Sequence, residues 1–152
     1  MAPKSKSLNE ITLYCDGASK GNPGRASCGF VLSDTKTGKE ILKQGTYLGE
    51  KTNNQAEYTG LLLALRRAKE FEPQKIHCYL DSELVTKQMK GEYKIKNSEM
   101  KRLHDLVVEE TKDAEVEFSH VLRHLNSAAD AMANYAIEKG SKVGDSFIFR
   151  SG

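Results

Sequence analysis

The chain has 152 residues, 38% of them hydrophobic and 29% charged, with a formal net charge of +2. That length suits one domain around one core, and that balance excludes a disordered or fibrous chain. No apolar run approaches the ~20 residues needed to cross a bilayer, and a near-neutral total does not by itself announce a nucleic-acid binder. Residues 1–9 are short, polar and basic and lack the apolar stretch of a secretory signal, so a cytoplasmic, monomeric protein without membrane contact is expected.

In chain order, residues 11–16 alternate in polarity and end in an acid, which predicts a strand closed by Asp16. Residues 17–24 hold Gly21, Asn22, Pro23 and Gly24 and read as a loop. Strands at 28–33 and 40–48 flank a polar turn at 34–39, and short turns join antiparallel neighbours. The period then changes to helical over about 54–71, with Gly60, Leu61, Ala64, Leu65, Ala68 and Phe71 on one stripe and Pro73 marking the end. A strand at 75–81 again ends in an acid, Asp81. Helices follow at 82–90 (closed by Gly91) and 97–111, then a strand at 116–122 and a helix at 128–138 closed by Gly140. Residues 141–152 are too short and irregular to assign.

The order β-β-β-α-β-α-α-β-α predicts an α/β fold, a five-stranded mixed sheet flanked by helices. One domain over 1–152 is expected, with a core at about 9–140 and tails at 1–8 and 141–152. Cys15, Cys28 and Cys78 sit in strand-like runs without metal-ligand spacing and read as small core residues. Lys87, Lys90, Lys94, Lys96, Lys101 and Arg102 crowd one stretch beside Glu83, Glu92 and Glu99. That stretch is either a phosphate-facing surface or a solvated helix face.

Four acids fall in awkward places. Asp16 and Asp81 sit at strand ends, where open α/β sheets bind ligands. Glu57 shares the apolar stripe of its helix, and Asp130 lies on or beside the small-residue face of the last one. A core-facing acid is costly unless paired or bound to a cation; the position of Glu57 in the first turn of its helix offers partial relief through the helix dipole. Each acid alone has a structural reading: Asp16 in a turn, Asp81 as a helix cap, Asp130 paired with a lysine. Four converging on one sheet edge are harder to explain by capping. Carboxylates gathered there raise one another's pKa, and hard divalent cations relieve the repulsion.

Four segments carry a family resemblance: Asp16-Gly17-Ala18-Ser19-Lys20-Gly21-Asn22-Pro23-Gly24, Thr52-Asn53-Asn54-Gln55-Ala56-Glu57-Tyr58, Asp81-Ser82-Glu83-Leu84-Val85, and Asn126-Ser127-Ala128-Ala129-Asp130 with Ala133-Asn134. In this order, over residues 11 to about 137, they resemble the type 1 ribonuclease H family. The resemblance implies the ribonuclease H-like fold and an endonuclease that cuts the RNA strand of RNA–DNA hybrids. It implies that Asp16, Glu57, Asp81 and Asp130 bind two Mg²⁺ ions, with Mn²⁺ as a substitute, and that products carry 5′-phosphate and 3′-hydroxyl ends. It maps RNA-strand contacts to Gly17, Ser19, Asn22, Asn53 and Asn54, and a DNA-phosphate pocket to Thr52 and Asn97. Double-stranded RNA is a second candidate partner.

The sequence also departs from the family. The basic helical protrusion of larger members is absent at residues 91–97, and the segment 120–126 that would hold a loop histidine is compact. Arg123 or His124 takes that histidine's role in the reading, with Arg123 favoured; His77 and His104 read as structural or exposed. A proofreading-type exonuclease expects Asp-x-Glu on the first strand, where this chain has Asp16-Gly17-Ala18. A transposase-like nuclease lacks room for a separate DNA-binding domain. The non-enzyme alternative is a catalytically weak module that binds hybrid or double-stranded RNA.

Overall fold

The computed structural model describes residues 8–144. The elements are β1 (Glu10–Gly21), β2 (Gly24–Asp34), β3 (Glu40–Lys51), α1 (Asn53–Lys69), β4 (Lys75–Leu80), α2 (Glu83–Met89), α3 (Ser98–Glu110), β5 (Glu115–His120), a 3-10 turn (Arg123–Leu125), α4 (Ser127–Lys139) and β6 (Val143–Gly144). The strands form one sheet in the order β5-β4-β1-β2-β3-β6. β1, β2 and β3 pair antiparallel, whereas β4 pairs parallel with both β1 and β5. The expected mixed α/β sheet with flanking helices is therefore present.

Two expectations need correction. The sheet has six strands among the described residues, not five, because Val143 and Gly144 pair with Gly45 and Gln44. Two residues carry no periodicity, so only the pairing reveals that strand. Residues 17–24 are not a loop: β1 and β2 continue as a hairpin to the pair Gly21–Gly24. Cross-strand hydrogen bonds sustain that hairpin although its sequence holds Gly17, Gly21, Asn22, Pro23 and Gly24. Asp16 thus lies inside β1 and does not close it. What ends beside it is the parallel ladder with β4, whose last pair is Cys15–Leu80. Asp16 and Asp81 are the next residues on two adjacent strands.

The core forms where Ile11, Leu13, Cys15, Phe30, Leu32 and Leu42 of the sheet meet Tyr58, Leu61, Leu65 and Ala68 of α1, all fully buried. Each large side chain contributes about 1.5–3 kcal/mol on burial. The Tyr58 hydroxyl donates to Gln88 Oε1 at 2.6 Å, so its polar end is satisfied inside the core. The three cysteines are buried and free, as expected.

α4 covers the opposite face. Neighbouring residues of a strand point to opposite sides: a Cβ on Gly60 of α1 would meet Cys28, whereas one on Gly29 would meet α4, 2.4 Å from Ala129 O. A Cβ on Gly45 would lie 2.2 Å from Met132 O, so the α4 backbone rides directly on the sheet. The buried α4 residues Ala129, Ala133 and Ala136 permit the same approach from the helix side. At the N-terminus Leu8 N donates to Phe71 O at 3.0 Å. The tails expected at 1–8 and 141–152 otherwise lie largely outside the described residues. No helix among those residues is long and apolar enough to cross a membrane.

Candidate active site

α1 begins with a capping box. The Thr52 hydroxyl accepts from Gln55 N at 3.1 Å, and Gln55 Oε1 accepts from Thr52 N at 2.9 Å. Asn22, at the tip of the β1–β2 hairpin, accepts from Asn53 N at 3.0 Å and ties that tip to the helix. Glu57 follows just beyond the first turn, which holds no acid, so the dipole relief expected for a first-turn residue is weaker. Its carboxylate is instead held by β1: Oε1 accepts from Gly17 N at 3.0 Å. The same N–H lies 2.9 Å from Asp16 Oδ1. Position 17 must be glycine, because a Cβ there would lie 2.4 Å from Glu57 N.

Asp16 is 5% exposed and Glu57 3% exposed. Asp16, Glu57 and Asp81 each bring one carboxylate oxygen to within 4.8 Å of the others. Glu57 Oε2 and Asp81 Oδ2 are buried without a hydrogen-bond partner. Burial, reinforced by the charge and hydrogen bond of Glu57, the charge of Asp81 and a hydrogen bond with Asp130, holds the Asp16 carboxyl far above the usual carboxylate range. Burial also raises Glu57; the Asp16 hydrogen bond, the Gly17 N–H and the Arg123 guanidinium offset part of that rise, and Asp81 adds to it. Glu57 and Asp81 thus gather with Asp16 in one cluster, and Asp130 joins from the cavity side without being part of the close set. Orphaned buried oxygens in an all-carboxylate set fit a hard divalent cation, which would satisfy the lone pairs and cancel the repulsion.

A cavity of about 210 Å³ opens over these groups, lined by Asp16, Gly17, Ala18, Ser19, Lys20, Asn53, Glu57, Arg123, Asp130 and Asn134. Of the other predicted residues, Gly17, Ser19, Asn53 and Arg123 therefore reach the site. His124 is exposed and lies outside the lining. Ser19 donates to Lys51 O at 3.1 Å. Asn54 is half-buried and, like Asn22, lies outside the lining. Thr52 and Asn97 are helix N-caps, and Asn97 Oδ1 accepts from Met100 N at 2.9 Å. In the basic stretch, Lys87, Lys101 and Arg102 pair along the chain with Glu83, Asp105 and Glu99, which makes that part a solvated helix face.

Sequence reasoning gave no role to Asn126 and Asn134. Asn134 donates from Nδ2 to Asp130 O at 3.0 Å. Asn126 is 1% exposed and donates from Nδ2 to Cys15 O at 2.9 Å. Their spacing of four residues on either side of Asp130 was the available signal, because such neighbours share a helix face.

A mixed sheet with a carboxylate cluster beside a cavity defines the class of fold and site, and the family model described as "Reverse transcriptase-like" matches residues 14–136. Ribonuclease HI of Halobacterium salinarum is 39% identical over 129 residues, covering 84% of this chain and 64% of that protein. The chain thus spans just under two thirds of that relative's length. Ribonuclease H of Paracidovorax citrulli is 34% identical over 151 residues, covering 87% of this chain and 97% of that protein. The crystal structure of LC11-RNase H1 in complex with an RNA/DNA hybrid superposes with a TM-score of 0.81 at 34% identity, covering 86% of this chain and 98% of that one. The chain belongs to the type 1 ribonuclease H family.

Proposed function

We propose that this chain is a metal-dependent endonuclease that cuts the RNA strand of RNA–DNA hybrids. The observation that carries the proposal is the Asp16, Glu57 and Asp81 cluster within 4.8 Å, with two buried carboxylate oxygens left unpartnered. Its relatives support it: two are ribonucleases H, and LC11-RNase H1 was captured on a hybrid.

Asp16, Glu57, Asp81 and Asp130 would hold two Mg²⁺ ions, or Mn²⁺ in their place. Ions bound there supply Lewis acidity to a phosphate undergoing in-line displacement. A water oxygen joins phosphorus and the bond to the 3′ oxygen breaks, leaving 5′-phosphate and 3′-hydroxyl ends. Arg123 reaches the same cavity and places a fixed positive charge beside the phosphate. His124, outside the lining, has no such placement. Gly17, Ser19 and Asn53 in the cavity lining, with Asn22 and Asn54 nearby in sequence, would read the RNA strand, where the 2′-hydroxyl is both donor and acceptor. The Thr52 and Asn97 oxygens are already spent as caps. What remains for a DNA phosphate at these helix starts is the Thr52 hydroxyl hydrogen, the Asn97 amide N–H and free backbone N–H groups.

The test is cleavage of one labelled RNA–DNA hybrid with Mg²⁺, with Mn²⁺ and with excess chelator, beside RNA–RNA and DNA–DNA duplexes. Metal-dependent internal cuts in the RNA strand of the hybrid are the expected result, and the RNA–RNA lane sets the breadth. No cleavage with either metal would leave a hybrid-binding module in its place.

A further inference from the structure

The N-cap side chains of α1, α2 and α3 do what their residue types ordinarily do. Thr52, Ser82 and Asn97 accept from Gln55 N, Val85 N and Met100 N at 3.1, 3.1 and 2.9 Å. Asn126 stands at the N-cap of α4 and makes no such bond. Its amide is turned across the fold, where Nδ2 donates to Cys15 O at 2.9 Å. Its Oδ1 is buried without a hydrogen-bond partner. Its backbone, at φ −115° and ψ 22°, lies outside the extended region that the other three caps occupy, so no cap is open to it, and its unpartnered Oδ1 costs stability. A side chain kept under those terms is explained by what it positions.

The residues it joins are informative. Cys15 directly precedes Asp16. The backbone O of Asn126 accepts from Asp130 N at 3.1 Å, and its N donates to Arg123 O at 2.9 Å. One side chain thus fixes the start of α4, with Asp130 one turn on and Arg123 in the turn before, against the strand residue next to Asp16. We propose that Asn126 is a positioning residue that sets the placement of Asp130 and Arg123 relative to Asp16 by pinning α4 to the Cys15 carbonyl. The consequence for turnover rests on the hydrolytic function proposed above; the consequence for cation binding does not.

The experiment compares Asn126→Ala and Asn126→Ser with the parent by three readouts: Mn²⁺ affinity by calorimetry without nucleic acid, kcat and KM on a hybrid, and Tm. The serine hydroxyl is too short to reach Cys15 O, so Asn126→Ser keeps a polar group at the start of α4 without restoring the pin. Both variants are expected to lose roughly tenfold to a hundredfold in Mn²⁺ affinity and kcat, the scale for misplaced supporting groups, with KM little changed. The serine variant is expected to be as impaired as the alanine variant. Parental Mn²⁺ affinity in both variants would overturn the inference, and so would activity in Asn126→Ser that recovers in step with its Tm. Should the parent itself fail to cut hybrid, the hydrolytic reading falls, and the Mn²⁺ affinities still decide the pin.

Discussion

α1 and α4 each deliver one carboxylate to the same cavity, Glu57 and Asp130, but their N-terminal ends are built differently. The start of α1 is settled within four residues by the Thr52–Gln55 capping box, and Glu57 is then clamped by Gly17 N. The start of α4 has no side-chain cap and is fixed through Asn126 to Cys15, 111 residues away in sequence. Glu57 is nearly inaccessible, whereas Asp130 is half-buried. One end is a local construction that a short stretch of sequence specifies; the other depends on the assembled sheet. Loss of a local cap should therefore cost stability, and loss of the remote pin should cost function.

The largest effect should come from Asp16, which both ends share. Asp16→Asn removes one predicted ligand and the centre of the repulsion. Turnover on hybrid is expected to fall by roughly a thousandfold or more, corresponding to several kcal/mol of lost charge stabilisation. Hybrid binding and the fold should be kept, as gel shift and circular dichroism would report; a variant that cut at the parental rate would exclude Asp16 as a ligand. Arg123→Ala acts from the α4 side, removing a charge that also faces Glu57. Turnover is expected to drop about tenfold while calorimetric metal affinity stays parental, since the guanidinium supplies charge to the phosphate and is not a ligand. An unchanged rate would remove Arg123 from the mechanism.

A smaller effect belongs to the Asp16–Glu57 pair. Both carboxyls titrate above their ordinary values when folded without metal, so the folded chain binds more protons than the unfolded one above the usual carboxylate range. Its stability must then fall as pH rises from that range through neutrality. Metal-free Tm is expected to be lower at pH 8 than at pH 5, and Asp16→Asn should flatten the slope. A metal-free Tm that rose over the same interval would contradict this placement of the charges. The smallest effect sharpens the comparison from the α1 side. Thr52→Ala should lose about 1 kcal/mol of stability through its cap, measured by denaturant titration, with kcat much less affected than by Asn126→Ala.

Much of the fold was readable before any coordinates. The helical stripe of Leu61, Ala64, Leu65 and Ala68 is fully buried as its spacing implied, because burial of a helix face follows directly from its period. The hairpin at 17–24 was misread because Gly, Asn, Pro and Ser dominate its composition, whereas its strand character comes from pairing between β1 and β2. β6 was invisible for the same reason: a two-residue strand exists only by virtue of Gln44 and Gly45 beside it.

The four acids stood out in the sequence because each interrupts an apolar run or stripe, and that conflict is local. Asn126 did not stand out, since an asparagine ahead of a helix is the expected cap and nothing near it in sequence reveals a partner on β1. The sequence by itself determined the element order from β1 to α4, the face that α1 buries, and the presence of acids that cannot rest unpaired in a core. Tertiary structure alone decided how far β1 and β2 extend, which carboxylate oxygens remain unpartnered, and how α4 is held against Cys15. Those features rest on strand register and hydrogen bonds between distant segments, and local periodicity carries no information about either.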